Sequence, residues 1–187
     1  MYSNKKDINL EEDYDFLFLI SCSQIISQAI REKFKYSLVI HASNLPEGRG
    51  WSPHIWDLLE GKKKITVSLL NAEDKVDSGD LWKKIDINIA EHELSHEINK
   101  KLFSCEMALV DYALKNFNKV KLSIQKETEG KVYREKRTPE DSEIDPYSSL
   151  SSQFNLIRVS DYERYPAFFN LHGYKYKIKL EKLEDES

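Results

Sequence analysis

Two sets of residues in this sequence have the types and spacing to do chemistry. The first is His92-Glu93-Leu94-Ser95-His96. On a helix, side chains four apart share a face, so His92 and His96 can chelate zinc while Glu93 acts as a base. A catalytic zinc needs a third protein ligand. None stands clearly downstream, and His172 is the only later histidine. Glu91 and Glu93 suit the positive end of a helix dipole without any metal. An exposed helix start with no metal is the preferred reading. The second set is His41 and Asp77, each placed just past an apolar run. An imidazole and a carboxylate delivered to one crevice suit proton transfer and charge stabilisation.

The elements that must position these residues follow from periodicity. DFLFLI (15–20), YSLVIH (36–41) and KITVSLL (64–70) are short apolar runs of strand length, the pattern of strands buried on both faces of a parallel sheet. Between the first two, Ser21 or Ser23 caps a predicted helix whose inner face is Ile25, Ile26, Ala29, Ile30 and Phe34. Between the second and third, ASNLPEGRGWSP is a loop, and Pro53 opens a helix carrying Ile55, Trp56, Leu58 and Leu59, closed by Gly61. Strand, helix, strand, helix, strand predicts an α/β fold, a parallel sheet flanked by helices. In open sheets of this kind ligands bind beyond the carboxyl ends of the strands. The loops at 21–26, 42–50 and 71–79 are expected there.

Ile89 to Phe117 reads as one long helix, with Leu94, Ile98, Leu102, Cys105, Leu109 and Tyr112 on one side. The histidines fall on the opposite side, which turns apolar at Phe103, Met107 and Val110. Residues 125–152 are charged and Ser-rich, a long connection. GYKYKIKLEKL alternates strictly, predicting a half-exposed strand. The expected division is a polar N-terminal arm at 1–14, a catalytic core at 15–124, and a connecting loop with a small C-terminal β-containing extension at 125–187.

Composition narrows the function classes. The chain has 187 residues, 40% of them apolar, enough for one domain with a sizeable core. Charged residues make up 32% but nearly cancel, leaving a net charge of −4. That argues against a nucleic-acid partner for the chain as a whole. Cys22 and Cys105, far apart and in apolar surroundings, read as free thiols of a reducing compartment. No apolar run approaches membrane-spanning length, and a cytoplasmic location is expected.

VIHASNLPEGRGWSP resembles a loop of the folate-dependent formyltransferases, whose pattern is Asn-x-His-x-Ser-Leu-Leu-Pro, then Arg-Gly, then Pro. ITVSLLNAEDKVDSGDLW resembles their second signature, an Asp in a Val-Asp-x-Gly context. ISCSQIIS resembles the loop that receives the pterin ring. RTPEDSEIDP and RYPAFFNLHGYKYKI resemble segments of members acting on amino sugars. The likeness runs from about Asp15 to Leu180. It implies a shortened Rossmann-type, formyltransferase-like fold, and transfer of a formyl group from 10-formyltetrahydrofolate to an amine, with tetrahydrofolate as product.

By that resemblance His41 and Asp77 are the catalytic pair. A protonated His41 stabilises the oxyanion formed when the amine attacks, and Asp77 orients His41 and helps take the amine's proton. Where the family has Asn, this chain has Val39, and Asn44 is the candidate substitute. The folate is expected along Ser23, Gln24, Ile25 and Ile26, and along Glu73, Asp74, Val76 and Asp77. The implied acceptor is a nucleotide-linked amino sugar, best a UDP-linked 4-amino-4,6-dideoxy sugar used in surface glycans, held by Arg49, Gly50 and Trp51. Arg49 reads equally well as a loop brace, Trp51 as a packing aromatic, and Gly48 and Gly50 as turn formers. Family members carry further strands before the equivalent of DFLFLI, and a homodimer is one way to complete the site. A zinc hydrolase using His92, Glu93 and His96, and an inactive binding module of the same fold, are the alternatives.

Overall fold

The computed structural model describes residues 14–126 and 133–183. Nearly all of the expected N-terminal arm therefore lies outside the described residues. A four-stranded sheet is ordered β1-β2-β4-β5, with β1 at Phe16–Ile20, β2 at Tyr36–His41, β4 at Lys64–Asn71 and β5 at Leu81–Asn88. A two-residue strand β3 (Arg49–Gly50) lies between β2 and β4 in sequence and pairs elsewhere.

The fold is α/β with flanking helices, but the sheet is mixed, which corrects the parallel expectation. Only β1 and β2 run parallel; β2 with β4 and β4 with β5 run antiparallel. After β2 the chain passes through the loop at 42–52 and helix α2, Pro53–Leu59. Gly61, at φ 83°, follows the end of α2, and β4 sets out beyond the carboxyl end of β2 and returns along it, with Ser68 opposite His41 and Asn71 opposite Leu38.

The helix predicted after β1 is also shorter. Only Gln28–Arg31 is helical (α1), and residues 21–27 form an irregular loop. The long helix α3 spans Ser95–Asn116 rather than starting at Ile89. Glu93 and Glu97 set that start. Each carboxylate accepts the backbone N–H three residues before it, from Ala90 at 2.7 Å and Leu94 at 2.8 Å. The first closes a turn and the second caps the helix. Strand β5 and helix α4 (Leu150–Val159) went unassigned in the sequence.

One core cluster joins Leu38 and Ile40 of β2, Ile65, Val67 and Leu69 of β4, Leu58 of α2, Ile98, Leu102, Cys105, Leu109 and Ala113 of α3, and Val159 of α4. Full burial of each such aliphatic chain stabilises by about 1.5–3 kcal/mol, so this cluster fixes the sheet. On the other side, Leu45, Leu70 and Leu81 pack with Val39, pinning the loop after β2 against the sheet. The tail adds β6 (Tyr133–Arg134), which pairs with β3, and a hairpin of β7 (Phe168–Leu171) and β8 (Tyr174–Lys177). Strand β8 is exposed along its whole length, although Tyr176 stacks on Phe169. No helix among the described residues is long and apolar enough to cross a membrane.

Candidate active site

His41 ends β2 and is mostly buried. Its Nε2 lies 2.9 Å from the Gly48 carbonyl oxygen. A carbonyl only accepts, so Nε2 carries the hydrogen. Asp77 Oδ2 stands 3.5 Å from the same nitrogen and takes the Gly50 N–H at 3.1 Å. The structure thus brings together the two residues singled out in the sequence.

The route to that meeting differs from the expectation. Strand β4 runs against β2, so Asn71 ends opposite Leu38, away from His41. The loop from Ala72 to Asp80 leaves there and folds back. Its anchors are Ala72 N–H to Ser37 O and Asn71 N–H to Asp80 O, at 2.8 and 2.9 Å. Asp77 itself holds φ 52°, a left-handed conformation that Asp tolerates better than most residues.

Gln125 supports this loop and was not recognised in the sequence. Its Nε2 donates to the carbonyls of Asp77 (3.0 Å) and Gly79 (2.7 Å), and its Oε1 accepts from Arg49 Nη2 at 2.8 Å. Arg49 thus braces the loop through Gln125, while its buried Nε has no hydrogen-bond partner. Gly50 is clamped between its hydrogen bond to Asp77 and its strand pairing with Arg134. Trp51 donates its backbone N–H to Arg134 O, and the Lys136 ammonium sits 5.1 Å over its ring. Arg134 pairs with Asp57 and Glu60, at the far end of α2, so its backbone holds the entry to that helix and its side chain the exit.

Asn44 is exposed, and its amide oxygen accepts from Lys84 Nζ at 2.8 Å. That bond turns Asn44 toward β5, and the structure gives it no bond to His41 or Asp77. In the loop after β1, Ile25 is 68% exposed and Ile26 only 4%. Ser23 is exposed, while Gln24 Oε1 is buried with no hydrogen-bond partner. Buried Arg31 donates to Ile26 O at 2.7 Å and to Asp74 Oδ1 at 2.5 Å. It ties the 21–26 loop to the 73–77 loop, and it occupies the Asp74 carboxylate. Glu73 and Val76 lie exposed on the same loop.

The model named Formyl transferase matches residues 4–114 of the chain. The chain belongs to that family. It is 31% identical over 149 residues to a methionyl-tRNA formyltransferase of Rickettsia felis, covering 78% of this chain and 49% of that protein. It thus spans about half the length of this curated relative. Its fold is similar to HypX of Aquifex aeolicus in complex with tetrahydrofolic acid. That match has a TM-score of 0.74 at 22% identity, over 86% of this chain and 28% of that one. A sugar N-formyltransferase from Shewanella is similar at TM-score 0.70 and 18% identity, over 94% of this chain and 73% of that one.

In this formyl transferase chain the HELSH stretch is not a helical metal face. Only Ser95 and His96 are helical, so His92 and His96 do not share the i, i+4 spacing of one helix. Glu93 is buried and engaged. Lys101 Nζ lies 2.5 Å from Oε1, and the Ala90 N–H reaches Oε2. Burial opposes its ionisation, but Lys101 and the Ala90 N–H outweigh that and hold its carboxyl below the ordinary range. Among the described residues no group of three or more His, Cys, Asp or Glu is arranged to hold a metal.

A further histidine belongs near the site. His54, on the first turn of α2, senses both His41 and Asp57 electrostatically. Burial, then the neighbouring His41, pull its pKa down to about 4, against the opposing pull of Asp57. The residue as a whole is half-buried, and its Nδ1 is sealed and without a hydrogen-bond partner. The one sequence signal for it was a histidine following Pro53 at a helix start.

Proposed function

We infer that this protein transfers a formyl group from 10-formyltetrahydrofolate to the amine of a nucleotide-linked amino sugar, best a UDP-linked 4-amino-4,6-dideoxy sugar. The observation that carries the reading is the meeting of His41 Nε2, Asp77 Oδ2 and the Gly50 N–H. The two loops expected to receive the pterin suit that ring. Arg31 holds them together, they present backbone groups, and Gln24 contributes a buried acceptor oxygen without a partner. The donor supplies an activated formyl carbon. His41 donates a hydrogen bond where negative charge builds on the formyl oxygen. Asp77 accepts the proton that the attacking amine must lose, and as the formyl C–N10 bond breaks that proton passes to N10 of the departing tetrahydrofolate. The Gly50 N–H holds the Asp77 carboxylate in place for that transfer.

The acceptor rests on the overall acidity of the chain, on the amino-sugar-like segments at 137–146 and 164–178, and on the likeness to the Shewanella enzyme. A second reading, methionyl-tRNA as acceptor, is favoured by the Rickettsia relative. Incubation with 10-formyltetrahydrofolate and each acceptor separates them. Mass spectrometry should show one added formyl group on the amino sugar, and His41→Asn should abolish it. Formylation of methionyl-tRNA with none on any 4-amino sugar would replace the first reading by the second.

A further inference from the structure

The loop after β2 supplies two of the contacts that set the catalytic pair: the Gly48 carbonyl on His41 Nε2 and the Gly50 N–H on Asp77 Oδ2. A row of three side chains across the sheet holds that loop. His41 lies opposite Ser68, and Ser68 lies opposite Lys84. Directly paired residues project from one face of a sheet, so all three point to the side where Leu45 packs with Leu70 and Val39. Each touches the loop at a different place. His41 meets Gly48 O, Ser68 Oγ donates to Ser43 O at 2.7 Å, and Lys84 Nζ donates to Asn44 Oδ1 at 2.8 Å and to Leu45 O at 2.5 Å. The chain between them is a tight turn, closed by the Glu47 N–H on Asn44 O at 3.1 Å. Both oxygens that Lys84 binds therefore belong to the turn that delivers Gly48.

We infer that Lys84 is a positioning residue for formyl transfer: its ammonium pins the Asn44–Glu47 turn to β5, and through that turn it sets the Gly48 carbonyl that orients the His41 ring. The inference rests on the formyl-transfer reading. His41 donates to charge that appears only as the amine attacks. A ring turned out of line therefore slows the chemical step and leaves donor binding as it was.

The test compares Lys84→Met, Lys84→Arg and Lys83→Met, assayed with 10-formyltetrahydrofolate and whichever of the UDP-linked 4-amino sugar and methionyl-tRNA the wild type formylates. Methionine keeps the unbranched stem and removes both bonds. It should lower kcat about ten- to a hundredfold, with the donor KM unchanged, at a temperature where the variant is folded. Lys84→Arg, which can donate to both oxygens, should regain most of the rate. Lys83 points to the opposite face, its ammonium 5.5 Å over the Tyr112 ring, and Lys83→Met should turn over like the wild type. A folded Lys84→Met with unchanged kcat, a loss carried by the donor KM alone, or an arginine variant as slow as methionine would overturn the inference. Should Lys84→Met not fold, Asn44→Ala decides. It removes one of the two bonds from an exposed side chain and should lower kcat severalfold, and an unchanged kcat refutes the clamp. If the wild type formylates neither acceptor, the function reading falls, and 15N spectra of the ligand-free protein still decide the clamp. Lys84→Met should move the His41 Nε2 resonance and Lys83→Met should leave it, and a resonance unmoved by Lys84→Met refutes the clamp.

Discussion

Replacing Gln125 by Leu tests how the carboxylate loop is held. The amide makes three hydrogen bonds, to Asp77 O, Gly79 O and Arg49 Nη2, and the residue is 9% exposed. Leucine fills similar volume but removes all three. At about 1 kcal/mol net for each bond, and more where a carbonyl is left dry, the loss is on the order of 3 kcal/mol. In a chain of this size each kcal/mol lowers Tm by roughly 2–4 °C, so the melting midpoint should fall by roughly 6–12 °C. Activity should fall further than stability explains, because the Asp77 backbone loses its anchor and sub-ångström placement matters for proton transfer. Gln125→Glu separates shape from donors. It preserves the oxygen facing Arg49 but sets a second oxygen against two carbonyls, and it should be at least as damaging as leucine at neutral pH. Thermal denaturation followed by circular dichroism, with kcat measured well below the midpoint, reads both effects. A Leu variant that melts and turns over like the wild type would show that Gln125 does not hold the loop.

Four other outcomes are expected. Asp77→Asn keeps a residue tolerant of left-handed backbone and an oxygen for the Gly50 N–H, but loses the charge; kcat should drop by about 10²–10⁴ with Tm little changed. His54 has a folded pKa of about 4 against an ordinary 6.5, so its neutral form stabilises the fold fully above pH 6.5. That contribution, up to about 3 kcal/mol, is lost as pH falls toward 4; Tm against pH should therefore decline less steeply over that window in His54→Leu. Gly50→Ala would set a Cβ 2.3 Å from Arg134 O at φ +105° and should destabilise by about 2–4 kcal/mol, visible as a lower urea midpoint. His92→Ala and His96→Ala should leave formyl transfer intact, and loss of activity together with loss of bound zinc would revive the hydrolase reading.

Strands β1, β2 and β4 and helix α2 were legible because each is an uninterrupted apolar run or a clear 3.6-residue stripe. Strand β5 was not. A bulge between Leu69 and Leu70 pairs them with Lys83 and Leu81 and leaves Trp82 over, which breaks the two-residue alternation of LWKKIDIN. Strand direction carried no signal, since an apolar run reads the same whichever way its strand pairs, and the pairing of β4 against β2 is set only in the folded sheet. The start of α3 hid behind Glu93, whose spacing suits a helix while its carboxylate closes the turn before one. His41 and Asp77 were found through their setting in the loops, and their contact is made by a loop that doubles back. Gln125 and Arg31 carried no signal of their own. Their partners lie 48 and 43 residues away, and only the folded chain brings them near.

The backbone of Gly50 lies against the Arg134 carbonyl, and that of Gly79 against the Asn71 carbonyl. Both contacts involve main-chain atoms, which cannot swing aside as a side chain can. In the gene, then, the first two bases of each of these codons are frozen and only the third is free to drift. A random library sampled for survivors should return silent changes at both sites while the exposed lysines of β8 diversify.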